Sequence, residues 1–364
     1  MTANIGSKTI RVGVIGLGYG GETAIRCFQQ VPGVEVVALA GLEEVQLAAL
    51  GGMYSISHLY RSYHDLLAHE NLDAISIAVP NYLHAPVAIA ALERGLHVLC
   101  EKPVARTGLE AEQMVQAATR ANRVLQVVFN HRERGDVQVL KSYIDKGELG
   151  TIYYTKLYWL RRRGIPGVGS WFSSKEKAGG GPLIDLGVHV LDIGLYLLGE
   201  PEVVSVSAST YHELGARGVG FDTNESKSGA GHDFEVEDLA TAFMRLSTGV
   251  TLLLEACWAS HGRAANDFGI VLYGTKGGAE IYAKDNRTTD ALRIYTDVAD
   301  VPAEITPQSP PGGFHQAVIH TFIQRIRDGH WSLYNGSDGL RRARIIDACY
   351  ASAAEGREVI LSPL

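Results

Sequence analysis

Basic charge is in short supply, with 33 lysines and arginines against 40 aspartates and glutamates and a formal net charge of −7. A nucleic-acid partner needs a basic face for the phosphate backbone, so this balance excludes one. Cysteine is scarce too: Cys27, Cys100, Cys257 and Cys349 lie far apart and form no C-x-x-C pair. That usage implies reduced, buried thiols and a cytoplasmic protein. No apolar stretch reads as long enough to span a bilayer, and residues 1–8 are too polar for a signal core, so no membrane association is expected. Internal repeats and low-complexity tracts are lacking as well. What is present is 364 residues at 46% hydrophobic content, enough for two domains with a sizeable core.

The run from Ile10 to Ile15 reads as a strand and leads straight into Gly16-Leu17-Gly18-Tyr19-Gly20-Gly21. Gly16, Gly18 and Gly21 complete a G-x-G-x-x-G between that strand and a helix predicted over 22–30, the context of a dinucleotide fingerprint. A pyrophosphate can sit on a helix amino terminus only where the N–H groups are approachable, and Cβ atoms would block them. Gly16 permits the tight turn, Gly18 admits the phosphates, and Gly21 lets the helix pack on the strand, with Leu17 and Tyr19 in the same cofactor-binding loop.

Strand-like segments at 34–40, 74–79, 97–100 and 124–129 alternate with helix-like segments at 43–50, 63–69, 85–94 and 109–121. This alternation predicts right-handed βαβ units: an α/β, doubly wound parallel Rossmann sheet in a dinucleotide-binding domain over residues 1–128. From 129 to 364 the strand-like runs lengthen (152–160, 203–209, 239–246, 250–256, 268–273, 292–295) and helices thin out. They predict an α+β domain for substrate binding and oligomerisation, built on a large, mostly antiparallel sheet. Such a face needs cover, and a homodimer or homotetramer supplies it. Residues 215–232, rich in Gly, Ser and Asn, read as a long surface loop.

About twenty positions after the last glycine, an acidic residue ordinarily accepts hydrogen bonds from the ribose of NAD. Here that position is Gly41, in Ala40-Gly41-Leu42-Glu43-Glu44, so the marker is missing. Yet no Lys or Arg occurs between Cys27 and Tyr60, and Glu43 and Glu44 would repel a 2′-phosphate. The expected cofactor is NAD, with NADP as the alternative.

Pro80-Asn81-Tyr82-Leu83-His84 follows a predicted strand, at the carboxyl edge where open α/β sheets bind ligands. Asn81 could bond the cofactor; His84 could do the same, or could start a helix with its ring satisfied locally. Glu101-Lys102-Pro103 ends the next strand, and Lys102 is either a lysine beside the nicotinamide or a surface lysine. The densest chemistry lies in Gly179-Gly180-Gly181-Pro182 and the helix predicted after it. At 3.6 residues per turn Asp185, His189 and Asp192 share one face, while Leu186, Val190, Ile193 and Leu197 share another. A carboxylate beside an imidazole suits proton transfer, and a capping aspartate with a core histidine would give the same pattern. With no other dense His, Cys or Asp cluster to complete a shell, no metal is expected.

Together these motifs resemble those of the Gfo/Idh/MocA oxidoreductases, the group that includes glucose-fructose oxidoreductase and inositol dehydrogenases. The resemblance covers almost the whole chain: the glycine fingerprint, Pro80-Asn81 with His84, Glu101-Lys102-Pro103, the glycine motif leading to Asp185 and His189, and the later Val236-Glu237-Asp238 and Gly274-Thr275-Lys276-Gly277-Gly278. It implies an NAD(P)-dependent enzyme acting on a secondary alcohol of a sugar, sugar derivative or polyol such as an inositol. It further implies Lys102, Asp185 and His189 as catalytic residues, and Pro80, Asn81, His84, Glu101 and Lys102 beside the glycine loop as cofactor contacts. Gly41 departs from the pattern. Two other functions share these residues in whole or part: a redox-neutral enzyme that cleaves glycosides, and a cofactor-sensing regulator, although regulators of this fold tend to lack the lysine and histidine.

Arg161-Arg162-Arg163, with Trp159 and Trp171, precede the glycine motif. Aromatic faces suit sugar C–H surfaces and arginines suit anions. Three adjacent arginines on a strand cannot all face one pocket, so the run either lends part of itself to a substrate site or is a solvated strand end.

Overall fold

The computed structural model describes residues 9–68, 71–167, 169–221 and 234–362. The polar residues 1–8 and most of the loop read over 215–232 lie outside the described residues; its start, Gly215–Arg217, is a 3-10 turn.

The elements run in the order β1 (Ile10–Ile15), α1 (Tyr19–Phe28), β2 (Val34–Ala40), α2 (Glu44–Met53), β3 (His58–Tyr60), α3 (Tyr63–Leu67), β4 (Ala74–Ile77), α4 (His84–Glu93), β5 (His97–Cys100), α5 (Gly108–Ala121) and β6 (Leu125–Val127). Then come α6 (Gly135–Asp145), β7 (Ile152–Arg161), α7 (Lys175–Ala178), α8 (Val188–Leu197), β8 (Val203–Tyr211), β9 (Leu239–Leu246), β10 (Thr251–Cys257), β11 (Asn266–Gly274), β12 (Gly277–Ala283), β13 (Leu292–Val298) and β14 (Val301–Ile305). The chain closes with α9 (Phe314–Asp328), α10 (Ser337–Glu355) and β15 (Val359–Ile360). Two compact units result.

In the first unit six strands pair in parallel in the order β3-β2-β1-β4-β5-β6. The order reverses at β1 and β4, whose carboxyl ends open the crevice where such sheets bind ligands. The central strands are short and mostly apolar because helices cover both faces: every residue of β4 and β5 is buried.

The chain changes units at Val128 and Phe129, where the boundary is read from the sequence, but it crosses back once more. The second domain expected over 129–364 is not continuous, because His315–Leu340 return to the first unit. The reason is packing: Val318, Ile319, Phe322 and Ile323 of α9 enter the core that holds Val12, Val14, Ile25 and Phe28. Polar bonds seat the same helix, with Gln126 Nε2 donating to the Val318 carbonyl and Arg325 Nη1 to Gln126 Oε1, both at 2.9 Å.

The second unit is built on nine strands in the order β14-β13-β12-β11-β7-β10-β9-β8-β15, antiparallel at every join except β7 with β10. One stretch corrects the reading that nothing is apolar enough to span a bilayer: Lys175–Leu197 meets that length and composition, with a mean hydropathy of 1.2. Within the fold it is broken at Gly179–Gly181 into α7 and the irregular helix ending in α8, and 89% of its most apolar 18-residue window is buried.

Candidate active site

The first unit supplies the carboxyl ends of β1, β4 and β5. Gly16 turns the chain with φ at +96°, and a Cβ there would lie 2.1 Å from the Ala78 carbonyl oxygen. Gly21 lets α1 approach closely, since its Cβ would fall 1.9 Å from the Gly16 oxygen. Gly18, the residue before α1, has nothing within 4 Å of its ideal Cβ. This open approach to the start of a ten-residue helix fits a pyrophosphate. Tyr19 stands 81% exposed at that helix start, edge-on to His315. Leu17 buries its side chain, so what it can offer a ligand is main chain.

At the end of β4, Asn81 is buried in a 3-10 turn behind half-buried Pro80. His84 opens α4 with its ring buried between two main-chain carbonyls. Its Nδ1 lies 2.7 Å from the Pro103 carbonyl oxygen and its Nε2 2.8 Å from the Val79 carbonyl oxygen. Burial pushes its pKa down. The ring is a strap joining the segments that follow β4 and β5.

Glu101 follows β5 and is largely buried, and this burial pushes its carboxyl up to about 7, against the pull of the Lys102 charge and amide. The Lys102 amide donates to Glu101 Oε2 at 3.2 Å, and His315 Nε2 lies 3.7 Å from Oε1. Lys102 is half-buried beside it.

In the second unit the glycine motif leads into a helix that is not regular. Leu183–Gly187 form a π-helical turn before α8, so the 3.6-residue spacing fails over its first turn. Such wide turns often occur at functional sites. Asp185 is half-buried, and its Oδ2 accepts the indole N–H of Trp258 at 2.9 Å. His189 is buried among aromatic rings, with His131 centred 4.6 Å away and Trp159 5.6 Å away. Asp192 is committed elsewhere: both its oxygens bond Arg132, at 2.7 and 2.5 Å, and Oδ1 also accepts from Arg342 Nε at 3.0 Å.

Glu237 explains the Val-Glu-Asp segment. Its carboxylate accepts the amides of Gly181 and Leu183 and the Tyr350 hydroxyl, at 2.9 to 3.0 Å, and so closes the amino end of the helix that carries Asp185. Burial raises its pKa, with those bonds pulling the other way. Asp238 Oδ2 accepts the amides of Leu214 and Gly215. Of the three arginines, Arg162 and Arg163 are exposed, whereas Arg161 turns inward and donates to Asn266 Oδ1 at 3.0 Å, an oxygen it shares with Trp159 Nε1. Among the described residues no His, Cys, Asp and Glu group could hold a metal.

Known proteins supply the decisive comparison. The profile described as "Oxidoreductase family, NAD-binding Rossmann fold" matches residues 10–129, and "Oxidoreductase family, C-terminal alpha/beta domain" matches residues 141–361. The chain belongs to the Gfo/Idh/MocA family. This oxidoreductase family is the one its motifs resemble, and the NAD-binding description falls on the unit that holds the glycine loop. Family relatives include D-glucoside 3-dehydrogenase of Escherichia coli (strain K12), 30% identical over 99% of this chain and 100% of the relative. Levoglucosan dehydrogenase of Pseudarthrobacter phenanthrenivorans is 29% identical over 96% of this chain and 97% of its own. A solved levoglucosan dehydrogenase with NADH and levoglucosan superposes with a TM-score of 0.83 at 26% identity, covering 98% of this chain and 100% of that one.

Sequence reasoning passed over Trp258, His131 and Arg342 in this Gfo/Idh/MocA chain. Trp258 and Arg342 lie 73 and 150 positions from their aspartates, and no periodicity reports contacts at that range. His131 left a weaker signal: it follows a strand end, as Lys102 does.

Proposed function

We propose that this protein is an NAD-dependent dehydrogenase that oxidises, reversibly, a secondary alcohol of a sugar or polyol. The observation that carries the reading is the composition of the helix entry in the second unit, where Glu237 fixes the backbone of the turn that bears Asp185, with His189 four positions on. The relatives' names, a glucoside and a levoglucosan dehydrogenase, support the substrate class.

NAD, when bound, supplies the hydride acceptor at its nicotinamide C4. Gly16, Gly18, Gly21 and the start of α1 hold the pyrophosphate, with Leu17, Tyr19, Pro80, Asn81 and Glu101 around the remainder. His189 takes the hydroxyl proton on an imidazole nitrogen. Lys102 places its ammonium at the oxygen where negative charge develops, an interaction whose loss costs about two to three orders of magnitude in rate. Asp185 orients substrate hydroxyls, itself held by Trp258.

We read the protein as a cytoplasmic homodimer or homotetramer. Its four cysteines are buried thiols, and the large sheet leaves Tyr153, Tyr211, Tyr273 and Val301 exposed. A hollow of about 570 Å³ on strands β7 to β10, lined by Lys156, Thr241, Phe243 and Glu255, contains none of the candidate catalytic residues.

Nicotinamide absorbance during incubation with NAD or NADP and a panel of inositols, aldoses, uronic acids and glycosides tests the function. Turnover by the wild type that disappears in Lys102→Ala supports it. Glycoside cleavage without net cofactor reduction would replace it with the redox-neutral alternative.

A further inference from the structure

The position that ordinarily carries the ribose-reading carboxylate is closed to any side chain. A Cβ on Gly41 would lie 2.2 Å from Leu17 Cδ1 and 2.5 Å from Cγ. Leu17 cannot easily withdraw: it is 3% exposed, and its carbonyl accepts Gln46 Nε2 at 2.6 Å. Reading of the adenosine ribose must pass to neighbours of Gly41.

The topology names those neighbours. The Gly41 amide donates to the Tyr60 carbonyl at 3.0 Å, which brings the end of β3 alongside and makes Arg61 the next residue. Glu44, the first residue of α2, puts Oε1 at 2.5 Å from Arg61 Nη1, and both side chains are 67% exposed. Glu43 is the other charged residue in this stretch, and it is exposed. Guanidinium forks suit phosphate, so a free Arg61 at this edge would attract a 2′-phosphate, while a paired one is already occupied.

We propose that the Glu44–Arg61 pair sets the choice between NAD and NADP, with Glu44 holding the guanidinium that a 2′-phosphate would otherwise take. The inference rests on the reading of the first unit as the NAD-binding one. Exposed pairs are weak, so one substitution is enough to release the arginine.

The experiment is calorimetric titration of the full chain with NADH and with NADPH, for wild type, Glu44→Gln, Arg61→Ala and the double variant. Wild type should bind NADH more tightly, and Glu44→Gln should raise NADPH affinity relative to NADH by about two- to fivefold. The double variant should lose that gain. An equal change for both nucleotides in Glu44→Gln, or a gain that survives in the double variant, overturns the proposal while leaving dinucleotide binding intact. Binding of neither nucleotide by wild type with a cooperative thermal melt overturns the underlying reading as well.

Discussion

The indole N–H of Trp258 donates to the carboxylate of Asp185 across 2.9 Å. Asp185 therefore carries an oriented charge, because one of its oxygens is fixed by a neutral donor from a distant segment.

Trp258→Phe removes that donor and keeps most of the ring. A hydrogen bond to a charged group is worth about 1.5–3 kcal/mol, so if Asp185 positions substrate, kcat should fall at least about tenfold. Steady-state kinetics on the substrate identified by the panel, with NADH affinity as the internal reference, checks this. An unchanged kcat would remove Asp185 from the chemistry.

Glu237→Ala strips the partners from two buried amides and a part-buried hydroxyl. Leaving such groups unsatisfied should cost about 2–4 kcal/mol, read as a lower midpoint in chemical denaturation. Glu237→Gln keeps an acceptor oxygen and should cost less.

Glu101 gives the protein a pH dependence of definite sign. Its carboxyl is pushed from an ordinary 4.5 up to about 7, so the folded chain holds a proton that the unfolded chain has already released. The stability from this group is complete below pH 4.5 and is lost as pH rises through 7. Thermal melts at pH 5 and pH 8 should show wild type losing more stability across that window than Glu101→Gln. Parallel losses would place the Glu101 proton elsewhere.

Phe322 is fully buried in α9 and meets Phe28 edge-on at 6.4 Å. Phe322→Ala should destabilise by about 3–5 kcal/mol, measured by denaturant unfolding. A cost below about 1 kcal/mol would mean that α9 is not part of the first unit's core.

The Rossmann order was legible because each of its signals is local: β1 runs directly into Gly16, and the later strands are short apolar runs separated by helices. The edge strand β3 was not, since three residues give no periodicity, and β12 hid behind its opening glycines. Lys102 and His189 could be named from motif and resemblance. The surroundings of His84 could not be read that way, because its ring meets two carbonyls, one of them 19 positions away. The π-helical turn was invisible for a related reason: Pro182 and the glycines announce a helix, but its winding follows from what packs around it.

Gln126 bonds a carbonyl 192 positions further along the chain, on the helix that completes its unit. At about 5–20 residues per second, a ribosome needs roughly ten to forty seconds to bridge that gap. For that interval the apolar floor around Phe28 lacks the cover that Phe322 and Ile323 later give it.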